Sequence, residues 1–206
     1  RTEPGPCRVD GVMLISRWPV QVIKDRWGLE KESYFLFLAR IVPEKGVHYL
    51  IEAYKNLKTH KKLVIAGGKS HTGEYFSQLI EMAAGNDQII FTDFVGGRDL
   101  EELFSNAYAF VLPSDVEGMA ISLLEAMSYG NCCLVSDIPE NTEVVEDQAL
   151  TFQKGQVDDL KQKLQDLSDH PETVKRYQEK AADFICRKYD WDKVTDRTLD
   201  VYYGRK

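Results

Sequence analysis

Six short apolar runs, separated by segments with helical spacing, constrain this chain more than any other feature. The runs are Tyr34–Ala39, Lys62–Ala66, Gln88–Thr92, Tyr108–Leu112, Cys132–Ser136 and Ala149–Phe152. Between them lie helical patterns over Val47–Leu57, Tyr75–Ala83, Asp99–Asn106, Met119–Tyr129 and Asn141–Val145. A strand with one wet face alternates polar and apolar residues; these runs are continuously apolar, so both faces must be covered. Helices between consecutive strands supply that cover and the crossover length a parallel sheet requires. The pattern predicts an α/β fold, a parallel sheet with helices on both faces, from residue 34 to 206. Three further helices are expected in the tail: Gln156–Ser168, one opening at His170-Pro171, and Trp191–Tyr203. Residues 1–33 lack the alternation and are set apart as an N-terminal segment or interdomain remnant.

At 206 residues, with 43% hydrophobic and 29% charged residues, the chain can bury one good core. A formal net charge of -7 argues against a general nucleic-acid binder. An anionic ligand would have to be held by local cations and backbone dipoles rather than by an overall positive field. No apolar run approaches the ~20 residues that span a bilayer, and 1–6 carries no secretory h-region. Arg1 is not an initiator methionine, so a fragment or processed form is expected, soluble and cytoplasmic by default. Cys7, Cys132, Cys133 and Cys186 show no metal-ligand spacing and suit a reducing compartment. His48, His60, His71 and His170 are scattered, and no metal site is expected.

In covered parallel sheets ligands bind beyond the carboxyl ends of the strands. Three candidate elements stand at such ends: Arg40 with Lys45, Gly67-Gly68, and Glu117–Ala120. The last leads from Pro113-Ser114 into a helical segment, whose free N–H groups can receive a phosphate. Glu117 and Glu125 flank that place, and carboxylates repel phosphates. They fit if they accept hydrogen bonds from neutral hydroxyls, so the ligand expected is a phosphate attached to polyols, a nucleotide sugar.

Glu117-Gly118-Met119-Ala120-Ile121-Ser122-Leu123-Leu124-Glu125 resembles the EX7E motif of retaining glycosyltransferases with the GT-B fold, group 1 (GT4). Phe37–Gly46 looks like that family's glycine-arginine…lysine-glycine element, with Ala39 where glycine is usual. Tyr189-Asp190-Trp191 is similar to its aromatic-tryptophan signature. The resemblance implies the Rossmann-like, donor-binding half of a GT-B fold. It also implies transfer of a sugar from a nucleoside-diphosphate donor with retention of anomeric configuration, in polysaccharide or glycoconjugate synthesis. No metal cofactor is implied, and no Asp-x-Asp triplet occurs. The expected partners are the nucleotide-sugar donor and an N-terminal acceptor-binding domain, without which this domain should turn over little; peripheral membrane association of the full enzyme stays open.

The roles implied are specific. Arg40 and Lys45 would meet the diphosphate, Glu117 the donor-sugar hydroxyls and Glu125 the ribose, with Arg40, Lys45 and Glu117 grouped as catalytic. The backbone of Gly118, Met119, Ala120 and Ile121 would face the diphosphate. Each residue also has a plainer reading. Arg40 and Lys45 can be solvated surface cations, and Glu117 a dipole-stabilising acid. Gly67 can be a turn or a close approach to ligand. Phe94 and Val95 either meet the base or anchor a loop, and Ser114 either donates to a phosphate or caps a turn. The alternative function is a non-catalytic nucleotide-binding module or partner subunit.

Overall fold

The computed structural model describes residues 8–9, 12–13, 17–68 and 73–205. His71 falls outside them, as does Cys7. A small antiparallel pair, β1 (Arg8–Val9) and β2 (Val12–Met13), precedes helix α1 (Val22–Trp27). The alternating body then runs β3 (Tyr34–Leu38), α2 (Val47–Lys55), β4 (Lys62–Ala66), α3 (Gly73–Ala83), β5 (Ile89–Asp93) and α4 (Arg98–Asn106). It continues through β6 (Ala109–Leu112), α5 (Ile121–Ser128), β7 (Cys132–Ser136), α6 (Pro139–Val145) and β8 (Leu150–Phe152). Helices α7 (Val157–Asp169), α8 (Pro171–Lys188) and α9 (Trp191–Tyr202) close the chain.

Strands β3 to β8 form one wholly parallel sheet in the order β5-β4-β3-β6-β7-β8. The chain steps outward from β3 to β5 in one direction, then returns and steps from β6 to β8 in the other. Right-handed crossovers therefore put α2 and α3 on one face and α5 and α6 on the opposite one. Between β3 and β6 the direction reverses, which opens a crevice at their carboxyl ends. This is the Rossmann-like sheet expected. Its central strands are buried along most of their length: Phe35, Leu36, Phe37, Val64, Ile65, Phe110 and Val111 are all fully covered. Cys132 and Cys133, neighbours on β7, are both buried, and burial pushes the Cys132 thiol up to about 12 and the Cys133 thiol well above its ordinary value.

Residues 17–33 pack onto this body. Ile23 and Leu29 lie in the core, and α1 rests on α4. The start of α1 has no capping side chain of its own; the buried Glu102 carboxylate of α4 accepts from the N–H groups of Gln21 (2.9 Å) and Ile23 (3.3 Å) instead. Helix α5 begins at Ile121, two residues later than the spacing predicts, so Met119 stands in the loop, 57% exposed. Cys186 is disulfide-bonded, which corrects the expectation of reduced thiols at that position. Among the described residues no helix is long and apolar enough to cross a membrane.

Candidate functional site

The segments leaving β3 and β6 are stitched together at the switch point. After β3, Pro43–Lys45 makes one turn of 3-10 helix and ends at Gly46, whose φ of 67° is left-handed. A Cβ at Gly46 would sit 2.0 Å from the Pro113 carbonyl oxygen, so no other residue fits there without moving the β6 segment. The Asp115 N–H donates to the Glu44 carbonyl at 2.8 Å, and the Tyr49 hydroxyl reaches Asp115 at 3.3 Å.

This clasp brings Lys45 and Glu117 together. The Lys45 Nζ donates to Glu117 Oε2 at 2.6 Å, with only 15% and 3% of the two side chains exposed. The Ser114 hydroxyl, fully buried, donates to Glu117 Oε1 at 2.6 Å. Ser114 thus orients the carboxylate and does not reach outward as a phosphate donor would. Each Glu117 oxygen keeps a lone pair for a further hydroxyl, and the Lys45 ammonium carries three N–H groups, only one of them used on Glu117. Removing both charges from water is costly, so the pair is held by its added hydrogen bond and by the fold around it. Arg40, on the same β3 segment, is exposed and has no ion pair among the described residues.

Around this centre the remaining candidates divide. Gly67 is required by the fold itself, since a Cβ would lie 2.0 Å from the Ala39 carbonyl oxygen. Gly118 is the reverse: its φ is not positive, and a Cβ there would meet nothing within 4 Å. Ala120, which precedes α5, is buried, and no side chain caps the helix start. Ile121 opens that helix, and Glu125, half-buried, lies one turn further along it. Val95 anchors its loop in the core, whereas Phe94 projects, 82% exposed, with Gly68 and Gly96 against its ring and Cβ. Beside the clasp, the His48 Nδ1 lies 2.8 Å from the Tyr75 hydroxyl. Partial burial lowers the His48 pKa and raises that of Tyr75 to about 12.

Three contributors carried no sequence signal that was used: Asp115, and Ser136 and Asn141, which hydrogen-bond behind Ser114. Gly46 is legible in the Lys-Gly pair after a strand, which announces a left-handed turn. Asp115 and Ser136 act through contacts distant in sequence, and Asn141 through Ser136 five residues before it.

A parallel sheet in this order, with a cation and a carboxylate paired at its switch point, defines a Rossmann-like α/β domain. The chain belongs to the family of glycosyl transferases group 1, whose model matches residues 20–184. Among its relatives, the O-antigen chain mannosyltransferase RfbU of Salmonella typhimurium is 29% identical over 165 residues, covering 80% of this chain and 45% of that protein. O-antigen chain mannosyltransferase B of Escherichia coli is 27% identical, with 91% and 51% covered. The chain thus spans about half the length of these relatives. In fold it is similar to Anabaena HepE, solved in complex with UDP and glucose, with a TM-score of 0.81 at 15% identity over 88% of this chain and 51% of that one. It is also similar to sucrose-phosphate synthase from Thermosynechococcus elongatus, with a TM-score of 0.78 at 19% identity over 91% and 49%.

Proposed function

We propose that this chain is the donor-binding half of a retaining glycosyltransferase, holding a nucleoside-diphosphate sugar in the crevice between β3 and β6. The observation that carries the reading is the Lys45–Glu117 pair at the switch point, next to the uncapped start of α5. Lys45 and Arg40 receive the diphosphate, with the backbone of Gly118, Met119, Ala120 and Ile121 against it. The open space at Gly118 favours that approach. Glu117 accepts from donor-sugar hydroxyls through its remaining lone pairs, and Glu125 from the ribose. The loop at Phe94 and Val95 meets the base, with Gly67 and Ser114 shaping the floor.

The chemistry follows from charge. As the sugar–phosphate bond breaks, negative charge grows on the leaving diphosphate, and a cation fixed beside it lowers the barrier most when the charge is greatest. Arg40, Lys45 and the helix start take the place that a divalent cation would otherwise fill. Lys45 can keep one N–H on Glu117 and turn its two remaining N–H groups to the anion. The acceptor would be bound by a second domain that this chain does not contain, consistent with its spanning about half of its relatives. Transfer of a mannosyl or glucosyl group accords with the names of the relatives and the sugar bound in the fold neighbour.

Calorimetric titration of the chain with UDP, GDP and ADP, with and without EDTA, tests this. One nucleoside diphosphate is expected to bind equally well in both conditions. No binding at millimolar concentration, or loss of binding in EDTA, would overturn the reading.

A further inference from the structure

Behind the Lys45–Glu117 pair runs a buried chain of hydrogen bonds that reaches two elements away from it. The register of β6 against β7 ends at Leu112 and Val135, leaving Ser114 past the last ladder position. Its carbonyl has no strand partner there, and the Ser136 hydroxyl donates to it at 2.5 Å. The Asn141 amide, from the first turn of α6, donates to that same hydroxyl at 3.1 Å and to the Ser136 carbonyl at 3.3 Å. Ser114, Ser136 and Asn141 are each wholly buried. Three polar side chains in an otherwise apolar layer are a poor way to hold a sheet together, since apolar residues of similar shape pack as well or better. The Asn141 Oδ1 is buried with no partner among the described residues, a cost the fold retains. What the chain does achieve is to fix the Ser114 backbone, and so the direction in which its hydroxyl meets Glu117.

We propose that Ser136 and Asn141 are positioning residues that set the Lys45–Glu117 pair through Ser114. This rests on the proposed function, because the pair is useful only if a diphosphate comes to it. Neither side chain reaches the crevice; their effect is confined to the charged end of the ligand. Removing the Ser136 hydroxyl lets the Ser114 carbonyl and hydroxyl drift, and Lys45 follows Glu117.

The test compares a nucleoside diphosphate with its matching nucleoside. The chain and Ser136→Ala are titrated calorimetrically with whichever of UDP, GDP and ADP binds, and with the corresponding nucleoside. Ser136→Ala should weaken the diphosphate by about 5-fold, the size of one lost hydrogen bond, and leave the nucleoside unchanged. In a Lys45→Ala background the same substitution should have no further effect, because the two act in one network. If Ser136→Ala does not fold, Asn141→Leu, with the same branching but unable to donate, is read by the same titrations. Equal weakening of nucleoside and diphosphate, or additive losses with Lys45→Ala, would overturn the positioning role alone. A chain that binds no nucleoside diphosphate would overturn the proposed function and this role with it.

Discussion

The two edges of the sheet use buried polar groups in opposite ways. At the amino edge they are tied mainly to backbone. The Glu102 carboxylate accepts from Gln21 and Ile23 N–H groups and from Arg98. The Asn106 amide donates to the Trp18 and Glu102 carbonyls, and the Asn131 amide to the Phe104 and Ala126 carbonyls. At the carboxyl edge polar side chains also meet each other, Lys45 with Glu117, Ser114 with Glu117 and Asn141 with Ser136, beside the backbone bonds of Ser136 and Asn141. A bond to backbone can be exchanged only by unfolding a segment, whereas a pair of side chains can trade one partner for a ligand. One edge closes the fold and the other can respond.

The largest effect should come from breaking the amino edge. Glu102→Ala strands two backbone N–H groups and a guanidinium, and is expected to lower stability by about 3–5 kcal/mol, measured by urea unfolding. Burial alone would raise the Glu102 carboxyl, but hydrogen bonds from Gln21, Arg98 and Ile23 outweigh it and hold it below its ordinary 4.5. A depressed carboxyl stabilises fully above its unfolded value and loses that contribution as pH falls through its folded value. Unfolding curves should therefore show a decline below about pH 4.5 that Glu102→Gln flattens. Nucleotide affinity should stay unchanged in any Glu102 variant that folds; a parallel loss would erase the contrast between the edges.

Lys45→Ala probes the other edge. In an enzyme that joins this domain to the proposed acceptor domain it should reduce kcat about 100- to 1,000-fold, the size of one lost donor to developing charge, with little change in melting temperature. An unchanged kcat with only a raised KM would mean that Lys45 holds ground state and transition state alike. Smaller again, Glu125→Gln should weaken the diphosphate by about 1.5–3 kcal/mol, as for a hydrogen bond to a charged acceptor, in a calorimetric titration. An equal fall in stability would make it a structural residue. Cys132 and Cys133 should show almost no effect: buried thiols whose pKa burial raises stay unalkylated by iodoacetamide at pH 7 unless the chain unfolds.

Much of this architecture is legible from sequence because covered parallel strands are local signals. Each run of apolar residues ends within one residue of its observed strand, as at Lys62–Ala66 and Cys132–Ser136. Helix α1 is not legible: six residues long, with only Ile23 buried, it is held by Glu102 from another helix. The placement of Arg40, Lys45 and Glu117 at one edge follows from strand ends. The direct contact of Lys45 with Glu117 does not, because it depends on Gly46 nesting against Pro113. Ser136 and Asn141 left no trace, since a serine ending a strand and an asparagine opening a helix are common for local reasons.

With no room for a Cβ at Gly46, the loops after β3 and β6 are locked partners, and mutation cannot remodel one without the other. Variation is free instead at Phe94, Val116 and Met119, which stand in solvent 82%, 60% and 57% exposed. Descendants of such a domain would inherit the Gly46–Pro113 clasp intact while the rim diverges. A graft of rim residues from one relative onto another should then change which ligand is preferred without disturbing the charged machinery beneath.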